Sequence, residues 1–259
     1  MPSAPSCAWD HARVRRQSRQ RGPLPQFSAP HLAALGVLCA ASAISIWAAR
    51  RHPGRWVRIW ARMLALLVLA AWLGEYLADA LLGTWQVEYD LPLQLTDAIS
   101  AVAVLALWTR RQGLVELLYF WSLTATLQAI LTPDLGWDFP SVYYFTYFTY
   151  HIGAVVGACL LVFGCGLYPR PGAAMRVFWL TLAWAAVAGL GDLVTGGNYM
   201  YLRAKPEHGS LLSVTGPWPW YILATVALAL ALLLGLEWLT SRLRRRDLAR
   251  RGTTEALAV

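Results

Sequence analysis

Apolar residues fall along this chain in seven long blocks separated by short polar breaks. A helix needs roughly 20 apolar residues to cross the hydrocarbon core of a bilayer. Seven runs reach or approach that length: His31 to Ala49, Met63 to Leu82, Leu91 to Trp108, Leu114 to Leu131, Val142 to Leu167, Val177 to Thr195 and Trp220 to Leu239. The breaks read RRHPGR, TWQVEYD, TRRQG, TPDLGWDFP, YPRPG and NYMYLRAKPEHGS, each polar or rich in turn residues. The pattern predicts an all-α fold, a polytopic membrane helix bundle with seven transmembrane helices over residues 30–240. A Pro- and Arg-rich stretch over 1–29 reads as a disordered basic tail, and 241–259 reads as a basic cytoplasmic tail.

Composition agrees with a membrane location. Hydrophobic residues make up 58% of the 259 positions and charged ones only 14%, with a mean hydropathy of +0.45. The net charge of +8 does not point to nucleic acid, because the basic residues gather at span ends, where they set orientation. Seven spans put the termini on opposite sides. One side collects Arg50, Arg51, Arg55, Arg58, Arg62, Arg110, Arg111, Arg170, Arg176 and the six C-terminal arginines, fifteen in all, against seven on the other. The positive-inside rule then puts the C-terminus in the cytoplasm and the N-terminus outside the cell membrane, against the pull of five N-terminal arginines. The four cysteines, Cys7, Cys39, Cys159 and Cys165, form no CxxC pair, so neither a disulfide framework nor a zinc ribbon is indicated.

Polar residues inside the spans change the picture further. Glu75 and Asp79 come late in the second block, Gln94, Thr96 and Asp97 early in the third, Gln128 late in the fourth, His151 early in the fifth and Asp192 late in the sixth. All lie in one half of the membrane. At 1.5 Å per residue Thr96 stands roughly 8 Å past Leu91 and His151 roughly 15 Å past Ser141, so a pocket opening outward accounts for the set. His151 is the histidine that sits inside a long apolar run, and an ionisable side chain there marks a functional site unless it is simply bonded to a neighbouring helix. Tyr144, Tyr147 and His151 share one helical face. Gly153 and Gly157 give a small-xxx-small spacing for a close helix neighbour. GPWPWY at 216–221 and GGNYMYL at 196–202 read as interface anchors with a helix stop.

Several of these motifs together resemble the YwaF family of bacterial integral membrane proteins: LPLQLTDAIS from Leu91, YFWSLTATLQAILTPDL from Tyr119, the FP step at Phe139 and Pro140, His151, NYMYLRAKP from Asn198, and GPWPWY. Related animal transmembrane proteins look like phospholipid acyltransferases that carry the acyl group on a membrane-embedded cysteine, with a histidine nearby. Where the family pattern resembles LPLHLC, this chain reads LPLQLT, so Gln94 takes the histidine position and Thr96 the cysteine position. A threonine hydroxyl is a weaker nucleophile than a thiol and needs an adjacent base. The androgen-induced-gene family of multipass lipid hydrolases is similar in using a threonine and a histidine on different helices.

The resemblance therefore implies acylation of Thr96 with His151 as base and then acid, Asp97 or Asp192 orienting the imidazole, and Gln94, Gln128, Tyr147, Asn198 and Trp218 lining the substrate pocket. Membrane lipids are the implied partners, with no cofactor and no metal. A structural threonine bonded to the carbonyl four residues back is the plainer reading of Thr96. A retinal protein is excluded, since Lys205, the only lysine, lies in a loop. A multi-histidine zinc site is disfavoured because His11, His31, His52 and His208 lie in the tail, in loops or at a span edge. No repeat between the two sets of spans supports a transporter. Lipid or small-ligand binding without turnover explains the same residues and stands as the alternative.

Overall fold

A computed structural model of the chain describes residues 24–206 and 215–256, with side chains to 249. Seven helices carry the described residues: α1 (Ala29–Arg51), α2 (Arg55–Leu82), α3 (Leu95–Thr109), α4 (Gln112–Leu131), α5 (Val142–Gly164), α6 (Ala173–Thr195) and α7 (Trp220–Ala256). No strand occurs among them. Six of the helices are long and apolar enough to cross a membrane, so the chain is a multipass integral membrane protein. The exception is α3, with 15 residues.

The difference at α3 has a local cause. Pro92 cannot donate to a helix, and the backbone N–H of Gln94 bonds the Asp97 carboxylate at 3.1 Å, which starts the helix at Leu95 rather than at Leu91. Conversely, α2 begins at Arg55, earlier than the apolar run that starts at Met63, because an arginine-bearing turn is compatible with a helix whose charged heads lie at the interface. Arg62, for example, lies over the Trp108 ring at 5.2 Å. The Ser141 hydroxyl accepts from the Tyr144 N–H at 3.1 Å and opens α5. At the other extreme, α7 continues through the stretch expected to be a basic tail. Of the stretch expected to be a disordered tail, residues 1–23, with Cys7 and His11, lie outside the described residues. Its described end docks: Leu24 is buried and its N–H bonds the Leu135 carbonyl at 3.1 Å.

The helices are not equivalent. In α5, 78% of the most apolar stretch is buried, against 6% in α7. The central helix α5 packs on α1, α2, α3 and α4, while α6 and α7 pair with each other at the side. Gly153 on α5 is one reason α2 comes so close: a β-carbon added there would run into the Val68 side chain. Large apolar side chains such as Leu193, Val194, Ile44 and Trp179 face outward, where lipid solvates them. Both α4 and α5 widen into π-helical turns, at Ser122–Thr126 and Leu160–Gly164.

Ionic contacts close the arginine end of the bundle. The Glu116 carboxylate takes Arg170 at 2.8 Å and Arg176 at 3.1 Å, and Glu237 accepts the Ala173 and Ala174 N–H groups at the start of α6. The opposite end is closed by tyrosines. Tyr199, fully buried, donates to the Val87 carbonyl at 2.5 Å and accepts from the Leu91 N–H at 3.1 Å. Tyr221 donates to the Tyr201 carbonyl at 2.5 Å, and Tyr201 to Asp134 at 2.9 Å.

Candidate functional site

His151 lies on the innermost helix and is 2% exposed. Its Nδ1 is 2.8 Å from the Tyr147 carbonyl oxygen one turn earlier. A carbonyl only accepts, so Nδ1 carries the proton and the neutral ring presents a lone pair at Nε2. That nitrogen is buried and has no partner among the described residues. The ring is held by Tyr147 at 4.1 Å and Tyr150 at 4.4 Å between centroids, and the Tyr147 hydroxyl donates to the Ala129 carbonyl at 2.8 Å, tying this face of α5 to α4.

Other buried polar atoms without partners occur on the helices around α5. Ser122 and Thr126, both in the π-helical turn of α4, leave their hydroxyl oxygens unpaired. With Ala129 they recur four and seven residues on, which puts them on the stripe of α4 to which Tyr147 reaches. On α2 the Glu75 carboxylate leaves Oε2 unpaired, while Tyr150 and Thr146 stand beside it. Unsatisfied buried polar groups are costly and rare in native structures. Here four of them come from three adjoining helices.

Thr96 is in the first turn of α3 and half-buried. Its carbonyl accepts from Ser100, but among the described residues its own hydroxyl has no partner. The back-bond expected of a structural threonine is made by Thr109, Thr124, Thr181, Thr195, Thr225 and Thr240, each to the carbonyl four residues earlier, and not by Thr96. Because α3 runs parallel to α5, with Leu107 about 3.1 Å from where a β-carbon on Gly157 would sit, Thr96 stands about 7 Å nearer the tyrosine end than His151. No hydrogen bond joins the two.

The remaining expected site residues are held elsewhere. Asp97 accepts from Trp72 at 2.9 Å and Tyr76 at 2.7 Å besides the Gln94 N–H, so its carboxylate joins α2 to α3 rather than touching the imidazole. Asp192 accepts the Tyr199 N–H at 2.5 Å and keeps its other oxygen buried and unpaired. Gln94 accepts the Met200 N–H at 2.8 Å, and Gln128 donates to Thr132 at 2.7 Å. Asn198 braces the following loop through Arg203, Ala204 and their backbone groups. Trp218 is exposed, donates to the Leu202 carbonyl at 3.3 Å, and lines a mainly apolar groove of about 620 Å³ with Leu190, Asp192, Leu193 and Arg203. Thus Tyr147 and His151 come together, Gln94, Asp97 and Asp192 brace the tyrosine end, and Trp218 belongs to a separate groove. Sequence reasoning did not single out Ser122, Thr126 or Tyr150. Hydroxyls on an apolar helix are visible in the sequence, but the turn that leaves two of them unpaired is not.

Among the described residues no group of three or more His, Cys, Asp or Glu side chains is placed to hold a metal ion; His208 lies outside them. The profile of the TMEM164 family matches residues 26–236, from just before α1 to within α7. The chain belongs to the TMEM164 family. That TMEM164 match covers every site residue named above, and the membership agrees with the multipass architecture. No curated protein and no solved structure matches the chain.

Proposed function

We propose that this TMEM164-family protein, a bacterial YwaF-like member, moves acyl groups of membrane lipids through an ester on Thr96. Support comes above all from one observation: the buried Nε2 of His151 presents a free lone pair in a ring whose other nitrogen is fixed on a carbonyl. That is the protonation state a general base requires, and the Tyr147 carbonyl favours the imidazolium that forms when it acts. In the first half-reaction the Thr96 hydroxyl gives its proton to Nε2 through water that bridges the roughly 7 Å between them along the bundle, as Oγ attacks the ester carbonyl carbon. The carbonyl–oxygen bond to the glycerol breaks, and the departing alkoxide takes the proton back from the imidazolium. In the second half, water or a lysophospholipid hydroxyl gives its proton to Nε2 and attacks the acyl carbon, and Thr96 leaves with that proton.

Asp97 acts as a positioning residue, fixing the turn of α3 that carries Thr96, and Asp192 pins the turn at Tyr199. Gln94 and Asn198 hold the loop over the tyrosine end, Tyr147 and Gln128 line the path of the lipid, and Trp218 belongs to the separate groove. With the arginine end in the cytoplasm, the site opens to the outer leaflet.

The test uses purified full-length protein in nanodiscs with an alkyl fluorophosphonate probe. Wild type is expected to label, Thr96→Ala and His151→Ala to lose at least about 100-fold, and Thr126→Val to label normally. Undiminished labelling in both of the first two ends the proposal. Loss in Thr126→Val with retention in Thr96→Ala moves the ester to Thr126, a reading favoured by that hydroxyl's burial without a partner. Binding without turnover is the second reading, favoured by the groove at Asp192, Arg203 and Trp218. Bound lipid recovered intact from a wild type that never labels would establish it.

A further inference from the structure

A second cavity, at the arginine end, plays no part in the acyl chemistry. Its volume is about 580 Å³, and it lies where the end of α1, the turn into α2, the end of α3 and the end of α5 meet. Arg50, Gly54, Arg110, Cys165 and Asp247 are among its walls. The charges there are unevenly matched. Arg50 donates to the Phe163 carbonyl at 2.6 Å and, through Nη2, to Tyr168 at 3.2 Å and Asp247 at 2.9 Å. Tyr168 donates to the same Asp247 carboxylate. Arg50 and Asp247 therefore neutralise one another and form a latch between α1 and α7.

Among the described residues Arg110 has no such counterpart. Its Nη2 is buried without a hydrogen-bond partner, although a guanidinium always carries its charge and its donors. Burial pushes the Cys165 thiol up, with Arg110 opposing only in part, so no thiolate supplies the missing anion. Beside the cavity α2 starts at Gly54 with no side-chain cap and no acidic residue in its first turn, a helix end that favours negative charge. Arg51, Arg55, Arg58 and Arg111, all exposed, are the chain neighbours of the lining residues Arg50, Gly54, Val57 and Arg110. A cavity of this size takes a small headgroup, and basic pockets between membrane helices suit phosphate-bearing ones.

We propose that this cavity binds a phosphate group, with the Arg110 guanidinium as its principal donor. The phosphate belongs either to an anionic phospholipid of the adjoining leaflet or to a soluble phosphate compound; the chemistry of recognition is shared. This site is independent of Thr96 and His151.

The test measures retention of phosphatidylglycerol and of phosphatidylcholine by the purified full-length protein in native mass spectra, with and without about 10 mM inorganic phosphate, a concentration chosen to exceed typical weak anion affinities. Wild type is expected to prefer phosphatidylglycerol or to bind phosphate itself. Arg110→Gln is expected to weaken that binding about tenfold or more, as loss of a charged hydrogen-bond donor does, and Arg110→Lys less. Gly54→Glu is the second variant. A β-carbon there meets only the Trp56 side chain, at 3.5 Å, so the fold tolerates it while a carboxylate enters the rim. Displacement of phosphatidylglycerol by inorganic phosphate assigns the site to soluble phosphates, and resistance to displacement assigns it to the lipid. Equal anion binding by wild type, Arg110→Gln and Gly54→Glu, or no anion preference in wild type, overturns the proposal.

Discussion

Two histidines are buried among the described residues, and they do opposite things with the same ring. His31, at the start of α1, has both nitrogens engaged. Its Nδ1 accepts the Phe27 N–H at 2.9 Å and its Nε2 lies 2.8 Å from the Ile130 carbonyl. The first contact requires a lone pair on Nδ1 and the second a proton on Nε2, so one neutral tautomer satisfies both. It is a clamp between α1 and α4. His151, one helix layer further in, adopts the other tautomer and leaves its accepting nitrogen empty. The difference teaches that burial of a histidine says little about function until the partner of each nitrogen is known.

The sharpest way to break this contrast is to remove each ring. His151→Phe keeps an aromatic body between Tyr147 and Tyr150 and is expected to lower probe labelling at least about 100-fold with little change in thermal unfolding. If labelling survives, the two histidines are both structural. At Gly153, two residues on, a substitution to Leu collides with Val68 and is expected to cost about 3 kcal/mol, read by unfolding in detergent; the double variant Gly153→Leu with Val68→Ala should recover part of it. That separates packing of α5 from chemistry on α5. His31→Ala leaves the Phe27 N–H and the Ile130 carbonyl without partners and is expected to cost about 2 kcal/mol, lowering the melting temperature without a direct effect on labelling per folded molecule. Smallest of all, Thr181→Val removes a back-bond to Val177 and a partner of Trp121 and should shift unfolding by about 0.6 kcal/mol.

Much of the bundle is legible in the sequence because lipid imposes a length and a composition on any helix that crosses it. All seven helices overlap the runs read from hydropathy, and the polar residues of Glu75, Thr96, His151 and Asp192 are visible as exceptions in apolar blocks. What is not legible is pairing. Hydropathy places His31 at the edge of a span, yet the chain from Leu24 folds back over it and buries it. Tyrosines near span ends read as interface anchors, whereas Tyr144, Tyr147, Tyr199 and Tyr221 each direct a hydroxyl at a backbone carbonyl of another segment. Asp97 illustrates the same limit: its place beside Thr96 suggests chemistry, while Trp72 and Tyr76 on α2, more than 20 residues away in the chain, claim its oxygen. A run of residues marks which stretches can cross the bilayer, and only the packed neighbours fix which side chains are buried and which of their atoms remain free.

The brevity of α3 has one more effect. Fifteen residues rise about 22 Å, short of the roughly 30 Å of hydrocarbon, so part of that depth is filled by uncoiled backbone. Such backbone survives within a bilayer only against protein or water; here the buried phenol of Tyr199 meets the Leu91 amide. Hydrogen-bonding atoms thereby reach down to the first turn of α3, where Thr96 sits.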